Sequence, residues 1–167
     1  LESIVIPNSI TCIASNVFSF CSNLISVKLS ERVVSIEEQA FSNCINLRNI
    51  ELPESVINIK DYAFHECRSL SSISIPEGVT NIGEGAFYYC TGLKEITLPS
   101  SVSFIGEKAF MFCGVGDPEN RPNQYYDFVA YTVKGSYASE YIENLGTELD
   151  EEDPPAPVDA YDYYDIV

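Results

Sequence analysis

Hydrophobic and polar positions along this chain repeat with a period of 23 residues, and the register does not slip over five cycles. Cysteine falls at Cys21, Cys44, Cys67, Cys90 and Cys113, and phenylalanine three positions earlier, at Phe18, Phe41, Phe64, Phe87 and Phe110. Isoleucine holds a third column, Ile13, Ile36, Ile59, Ile82 and Ile105, and leucine a fourth, Leu1, Leu24, Leu47, Leu70 and Leu93. The unit reads L-x-x-I-x-[IL]-P-x-x-V-x-x-I-x-x-x-A-F-x-x-C-x-x. Its first six residues alternate as a strand with one buried face does, so Ile4 and Ile6, Val27 and Leu29, Ile50 and Leu52, Ile73 and Ile75, and Ile96 and Leu98 point inward. Proline, which cannot donate to a ladder, then stops the strand at Pro7, Pro53, Pro76 and Pro99; Ser30 is the departure. One unit is too short to enclose its own apolar face, so neighbours must stack and share a core. Parallel strands about 4.8 Å apart put five rungs into a stack of roughly 24 Å. The expected fold is an α/β repeat, a solenoid with a parallel β-sheet face, over residues 1–114.

The columns L-x-x-I-x-[IL]-P, V-x-x-I and A-F-x-x-C over residues 1 to 114 resemble the BspA-like, treponemal-type leucine-rich repeat family. That resemblance implies a parallel sheet on one side of the coil with short helical or extended pieces opposite. It also implies a secreted or cell-surface protein of bacteria or parasitic protists, used for adhesion and recognition.

The period ends after Cys113. Gly114, Gly116, Asp117, Pro118, Asn120 and Pro122 form a turn-rich loop. Asp127 to Val133 then reads as a strand, and Ser136 to Leu145 as a helix with Ser136 as N-cap and Gly146 just past its end. The helix carries Ala138, Tyr141, Ile142 and Leu145 on one stripe. Residues 115–146 are therefore expected to cap the open end of the array; the segment also looks like the closing element of BspA-like arrays. Nothing comparable covers Leu1, Ile4 and Ile6, so the first unit reads as truncated and further repeats are expected before it. Residues 147–167 hold eight acidic and no basic residues among several prolines, which suits an extended linker or an interaction tail. Tyr161, Tyr163, Tyr164 and Ile166 would anchor such a tail on the chain's own solenoid or on a neighbouring copy.

Charge narrows the function. With 25 Asp and Glu against 9 Lys and Arg, a net charge of -16 argues against nucleic acid, which needs clustered basic residues. No stretch approaches the roughly 18 to 20 apolar residues of a membrane span. Catalysis finds little to work with. The one histidine, His65, stands in the column Ser19, Ser42, His65, Tyr88, Met111, read as an outward, variable position; a Cys67–His65 nucleophile pair is disfavoured because Cys67 belongs to a structural column. Stacked column cysteines have nearly parallel Cβ vectors, unsuited to disulfides or to tetrahedral zinc, so each is expected to be a small buried hydrophobe whose S–H donates to a loop carbonyl. Cys12, outside the column, is expected as a partly exposed thiol. The tail acids Asp159, Asp162 and Asp165 lack the spacing and glycine of an EF-hand loop. No catalytic residue, metal site or cofactor is expected.

Two surfaces could bind. The strand face presents Ser3 and Val5, Ser26 and Lys28, Asn49 and Glu51, Ser72 and Ser74, and Glu95 and Thr97, with Arg48 and Lys94 just before. It reads either as a recognition face or as an ordinarily solvated sheet, with Lys28 one rung from Glu51 as an exposed ion pair. The second candidate is an aromatic patch on the opposite flank, Tyr88, Tyr89, Met111 and Phe112, with Phe20 in the same columns. It could take a protein or glycan partner, or be covered by Tyr125, Tyr126 and the cap strand. The function expected is a non-enzymatic recognition or adhesion module at the C-terminal end of a longer array, secreted or on a bacterial surface. The alternatives are an accessory module of a secreted enzyme and a spacer.

Overall fold

The computed structural model describes residues 1–114 and 128–145. The chain winds as a solenoid in which each 23-residue unit supplies three sides. The first side is the strand of the repeat motif: β1 (Ser3–Val5), β3 (Ser26–Lys28), β5 (Asn49–Glu51) and β8 (Glu95–Leu98), with β10 (Val129–Thr132) beyond. Pairing is parallel with a shift of one whole unit, as in Ile4 opposite Val27 and Val27 opposite Ile50. The ladder lapses at the fourth unit, where Ser72–Ile73–Ser74 contribute only an isolated parallel bridge from Ser74 to Thr97. Serine offers little cross-strand packing and competes for backbone hydrogen bonds, so this rung is the weakest strand former of the set. Ile73 and Ile75 nevertheless stay in the core.

The second side is a five-stranded parallel sheet of two-residue strands: β2 (Cys12–Ile13), β4 (Ser35–Ile36), β6 (Asn58–Ile59), β7 (Asn81–Ile82) and β9 (Phe104–Ile105). Its inward column is Ile13, Ile36, Ile59, Ile82 and Ile105, all buried. The third side consists of tight turns rather than helix. Alternate residues there donate from one rung to the next, as in Tyr62 N–H to Glu84 O at 2.8 Å, Phe64 N–H to Ala86 O at 2.8 Å and Glu66 N–H to Tyr88 O at 2.8 Å. Residues between them close i to i−3 turns, such as His65 N–H to Tyr62 O at 3.0 Å. Meeting both demands puts two residues per unit in the left-handed region; in the third unit these are Tyr62 at φ 55° and Glu66 at φ 56°.

The interior is a set of files parallel to the solenoid axis. Phenylalanine rings stack from Phe18 to Phe110 at centroid spacings of 5.2, 5.4, 5.3 and 5.6 Å. Each column cysteine from Cys44 onward donates its thiol to the phenylalanine carbonyl one rung back, with Cys44, Cys67, Cys90 and Cys113 reaching Phe18, Phe41, Phe64 and Phe87 at 3.1 to 3.3 Å. Ser30, standing where the other units have proline, is buried and donates to the Ile10 carbonyl at 3.0 Å while accepting from Arg32 N–H at 3.2 Å.

The closing element is a sixth layer. β10 extends β8 in parallel, Ala130 opposite Ile96, and Phe128 continues the ring file at 5.8 Å from Phe110. Helix α1 (Tyr137–Leu145) follows; Ser136 Oγ accepts from Ser139 N–H at 3.2 Å, as an N-cap should. Ala138 and Ile142 are buried, and the Tyr141 hydroxyl donates to the Gly106 carbonyl at 3.1 Å. At the other end Leu1 and Phe20 are 68% and 75% exposed.

Candidate interaction surfaces

Strand alternation aims the outward residues of the first side away from the core. Val5, Lys28, Asn49, Glu51, Ser72, Ser74, Glu95 and Thr97 are exposed, as are Arg48 and Lys94 at the margin, and Ser26 is half-exposed. Lys28 and Glu51 are register partners across β3 and β5, but their side chains do not close an ion pair. The expected stabilisation from that pair is therefore not realised. Beside Arg48 an open depression of about 360 Å³ is lined by Leu1, Glu2, Asn23, Ile25, Asn46 and Arg48.

The turn side brings the aromatic patch together. Tyr88 and Tyr89 lie 5.0 Å apart, and Phe112 lies 5.6 Å from Tyr88 and 4.5 Å from Tyr89. These three and Met111 are half-buried. Tyr125 and Tyr126, expected as a cover, and the tail anchors Tyr161, Tyr163 and Tyr164 lie outside the described residues. The cap strand, over Val129–Thr132, pairs with β8 on the strand side.

His65 corrects the expectation of a plain surface position. Its column turns inward enough that Ser42 is buried and His65 half-buried. The imidazole stacks on Tyr88 at 5.5 Å and meets the Tyr62 ring edge-on at 5.8 Å. Burial pushes its pKa below the ordinary value; Glu66 raises it and Arg68 lowers it by lesser amounts. Spacing alone could not show this, because the contacts run between rungs.

Ser42 Oγ lies 3.3 Å from His65 Nδ1, with the Glu66 carboxylate 3.9 Å from Nε2. That order of groups suggests a hydrolytic triad, but its geometry does not support one. Ser42 is only 4% exposed and its oxygen already accepts from Asn43 Nδ2 at 3.0 Å. Glu66 is too far from the ring for a hydrogen bond and is held by Arg68 at 2.8 Å. The column thiols are equally unsuited to nucleophilic work: burial pushes Cys44 up to about 12 and raises Cys67, Cys90 and Cys113 too. A thiol that stays protonated is neither nucleophile nor metal ligand. Cys12 is exposed, as expected, but burial and Glu37 raise its pKa as well.

The family model described as BspA type leucine rich repeat region (6 copies) matches residues 1–115. No curated protein matches. A solved leucine-rich repeat protein of T. pallidum is 31% identical at a TM-score of 0.69, over 78% of this chain and 58% of that one. A leucine rich cell surface protein of Faecalibacterium prausnitzii is 34% identical at a TM-score of 0.69, over 84% of this chain and 34% of that one. A leucine-rich repeat protein of Bacteroides ovatus is 26% identical at a TM-score of 0.53, over 68% and 42%. The chain thus spans little more than half of the first of these structures and a third of the second.

Proposed function

The chain belongs to the BspA-type leucine-rich repeat family, and on that premise we propose that it is a non-enzymatic recognition module, secreted or displayed on a bacterial surface, which binds a protein or glycan through its strand face. One observation carries the reading: exposed side chains of successive units stand in register on parallel backbone whose opposite face is locked in a buried core. Such a surface is extended and its backbone is already ordered by the core beneath it, which is what solenoids offer a macromolecular partner. Lys28, Arg48, Asn49, Glu51, Ser72, Ser74, Lys94, Glu95 and Thr97 supply mixed charge and hydrogen-bonding groups. The surface location is supported by the Faecalibacterium relative, which is described as a cell surface protein.

The test is a protein and glycan array probed with the chain and with its Lys28→Glu/Arg48→Glu variant. Both residues are exposed, so the variant should melt like the parent. It should lose at least about tenfold in affinity for whatever the parent captures, since a reversed charge meets a complementary surface. Equal capture by both proteins would move recognition off this face.

A further inference from the structure

The second sheet has an outer face that the repeat motif does not advertise, because its strands are only two residues long. Directly before its strands stands an exposed column, Thr11, Val34, Ile57, Thr80 and Ser103, joined rung to rung by backbone bonds such as Ile57 N–H to Val34 O at 2.9 Å, and Phe104 follows in the first position of the last strand. Val34 and Ile57, in neighbouring rungs, are 40% and 42% exposed, and Phe104 on the last rung is 50% exposed. Each is β-branched or aromatic, rests on a rigid core and has an apolar surface open to water.

Acid lines both margins of this stripe. On the side where the chain enters the sheet stand Glu31, Glu54 and Glu77, one per rung and all exposed; on the side where it leaves stand Glu38, Asp61, Glu84 and Glu107, also one per rung and exposed. Like charges one rung apart repel, yet the second file is held in place. Asp61 Oδ1 accepts from Glu84 N–H at 2.9 Å, and the Glu84 carboxylate accepts from the Tyr62 hydroxyl. With Glu37, the second sheet and the turns on either side of it carry eight of the twelve carboxylates in residues 1–114, against Arg32, Lys60 and Lys108. The strand-face side is balanced: Glu2, Glu51 and Glu95 face Lys28, Arg48 and Lys94. The acidic residues of the solenoid therefore concentrate along the second sheet and its flanking turns, around an apolar centre.

We propose that this second sheet is a docking surface for a cationic amphipathic segment of a partner protein, with apolar side chains seated on Val34, Ile57 and Phe104 and Lys or Arg on both sides of them. Charge complementarity selects the occupant. A nucleic acid or an anionic lipid surface would be repelled. A free metal ion finds no convergent group of three ligands among the described residues. The surface is distinct from the strand face, so failure of either leaves the other standing.

Fluorescence anisotropy with the full 167-residue chain tests it, using labelled synthetic peptides of alternating lysine and leucine, of lysine alone, and of alternating glutamate and leucine. The lysine–leucine peptide should bind, and the other two should bind at least about tenfold more weakly. Val34→Ser/Ile57→Ser should weaken it about fivefold or more at both about 50 and about 300 mM salt. Glu38→Gln/Glu54→Gln/Glu77→Gln/Glu107→Gln should weaken it about tenfold at the lower salt and little at the higher. A third variant, Glu148→Gln/Asp150→Asn/Glu151→Gln/Glu152→Gln/Asp153→Asn, controls for the acidic C-terminal segment and should change affinity less than about twofold. The proposal is overturned if the lysine–leucine peptide does not bind, if lysine alone binds as well, or if the C-terminal variant abolishes binding that the two sheet variants leave intact.

Discussion

Single residues matter here through the file they belong to. Phe64 has no exposed surface and lies between Phe41 and Phe87, its ring 5.4 and 5.3 Å from theirs. Truncating it leaves a void that neither neighbour can fill without abandoning its own stack, so Phe64→Ala should cost about 3 to 5 kcal/mol in urea denaturation; a loss under about 1 kcal/mol would mean that the file is not packed. The thiols offer a chemical readout of the same interior. Ellman's reagent should titrate Cys12 in the native protein and reach Cys44, Cys67, Cys90 and Cys113 only when denaturant is added. His65 couples the turn side to pH. Its folded pKa lies below the unfolded value of 6.5 because burial disfavours the imidazolium, so the unfolded chain takes up the proton first as the solution is acidified. Its contribution is intact above about pH 6.5, falls as pH drops below that value, and levels off beneath the folded pKa. Melting curves between about pH 8 and 5.5 should show a downward slope toward acid that His65→Gln flattens.

At the scale of elements, what was legible in the sequence is what repeats with a side-chain signature. The leucine, isoleucine, phenylalanine and cysteine columns name the buried residues, and Ser136 with the stripe Ala138, Tyr141 and Ile142 names the cap helix. Replacing that N-cap, Ser136→Ala, should lower stability by about 1 kcal/mol, read as an earlier loss of helix α1 by hydrogen exchange; unchanged protection would mean that the cap bond carries no weight. The turn side was not legible. Only Gly85, Asn16 and Asn43 among its left-handed positions are residue types that favour a positive φ; Phe20, Gln39, Tyr62, Glu66, Tyr89, Lys108 and Phe112 share those two columns and do not announce it. What holds them there is the rung-to-rung hydrogen bonding, which exists only once neighbours are stacked. For the same reason the His65–Tyr88 stack and the second sheet's outer face escape a reading along the chain. Among the candidate surfaces, the outward strand positions follow from alternation alone, whereas the burial of Ser42 and half-burial of His65 follow from how the turn tilts.

The whole molecule behaves as a one-dimensional stack, each layer touching only its neighbours. That geometry gives it two long faces of different character, one of mixed charge along the motif strands and one acidic with an apolar centre along the second sheet. The faces, the cap and the sites offered to partners all depend on five units lying in strict register. Anomalous diffraction from the native sulfur atoms tests this most directly. The Sγ atoms of Cys21, Cys44, Cys67, Cys90 and Cys113 should form one nearly straight file with steps of about 5 Å, the spacing of parallel strands. Sulfur positions scattered through the molecule, or a file broken by a step of twice that length, would contradict it.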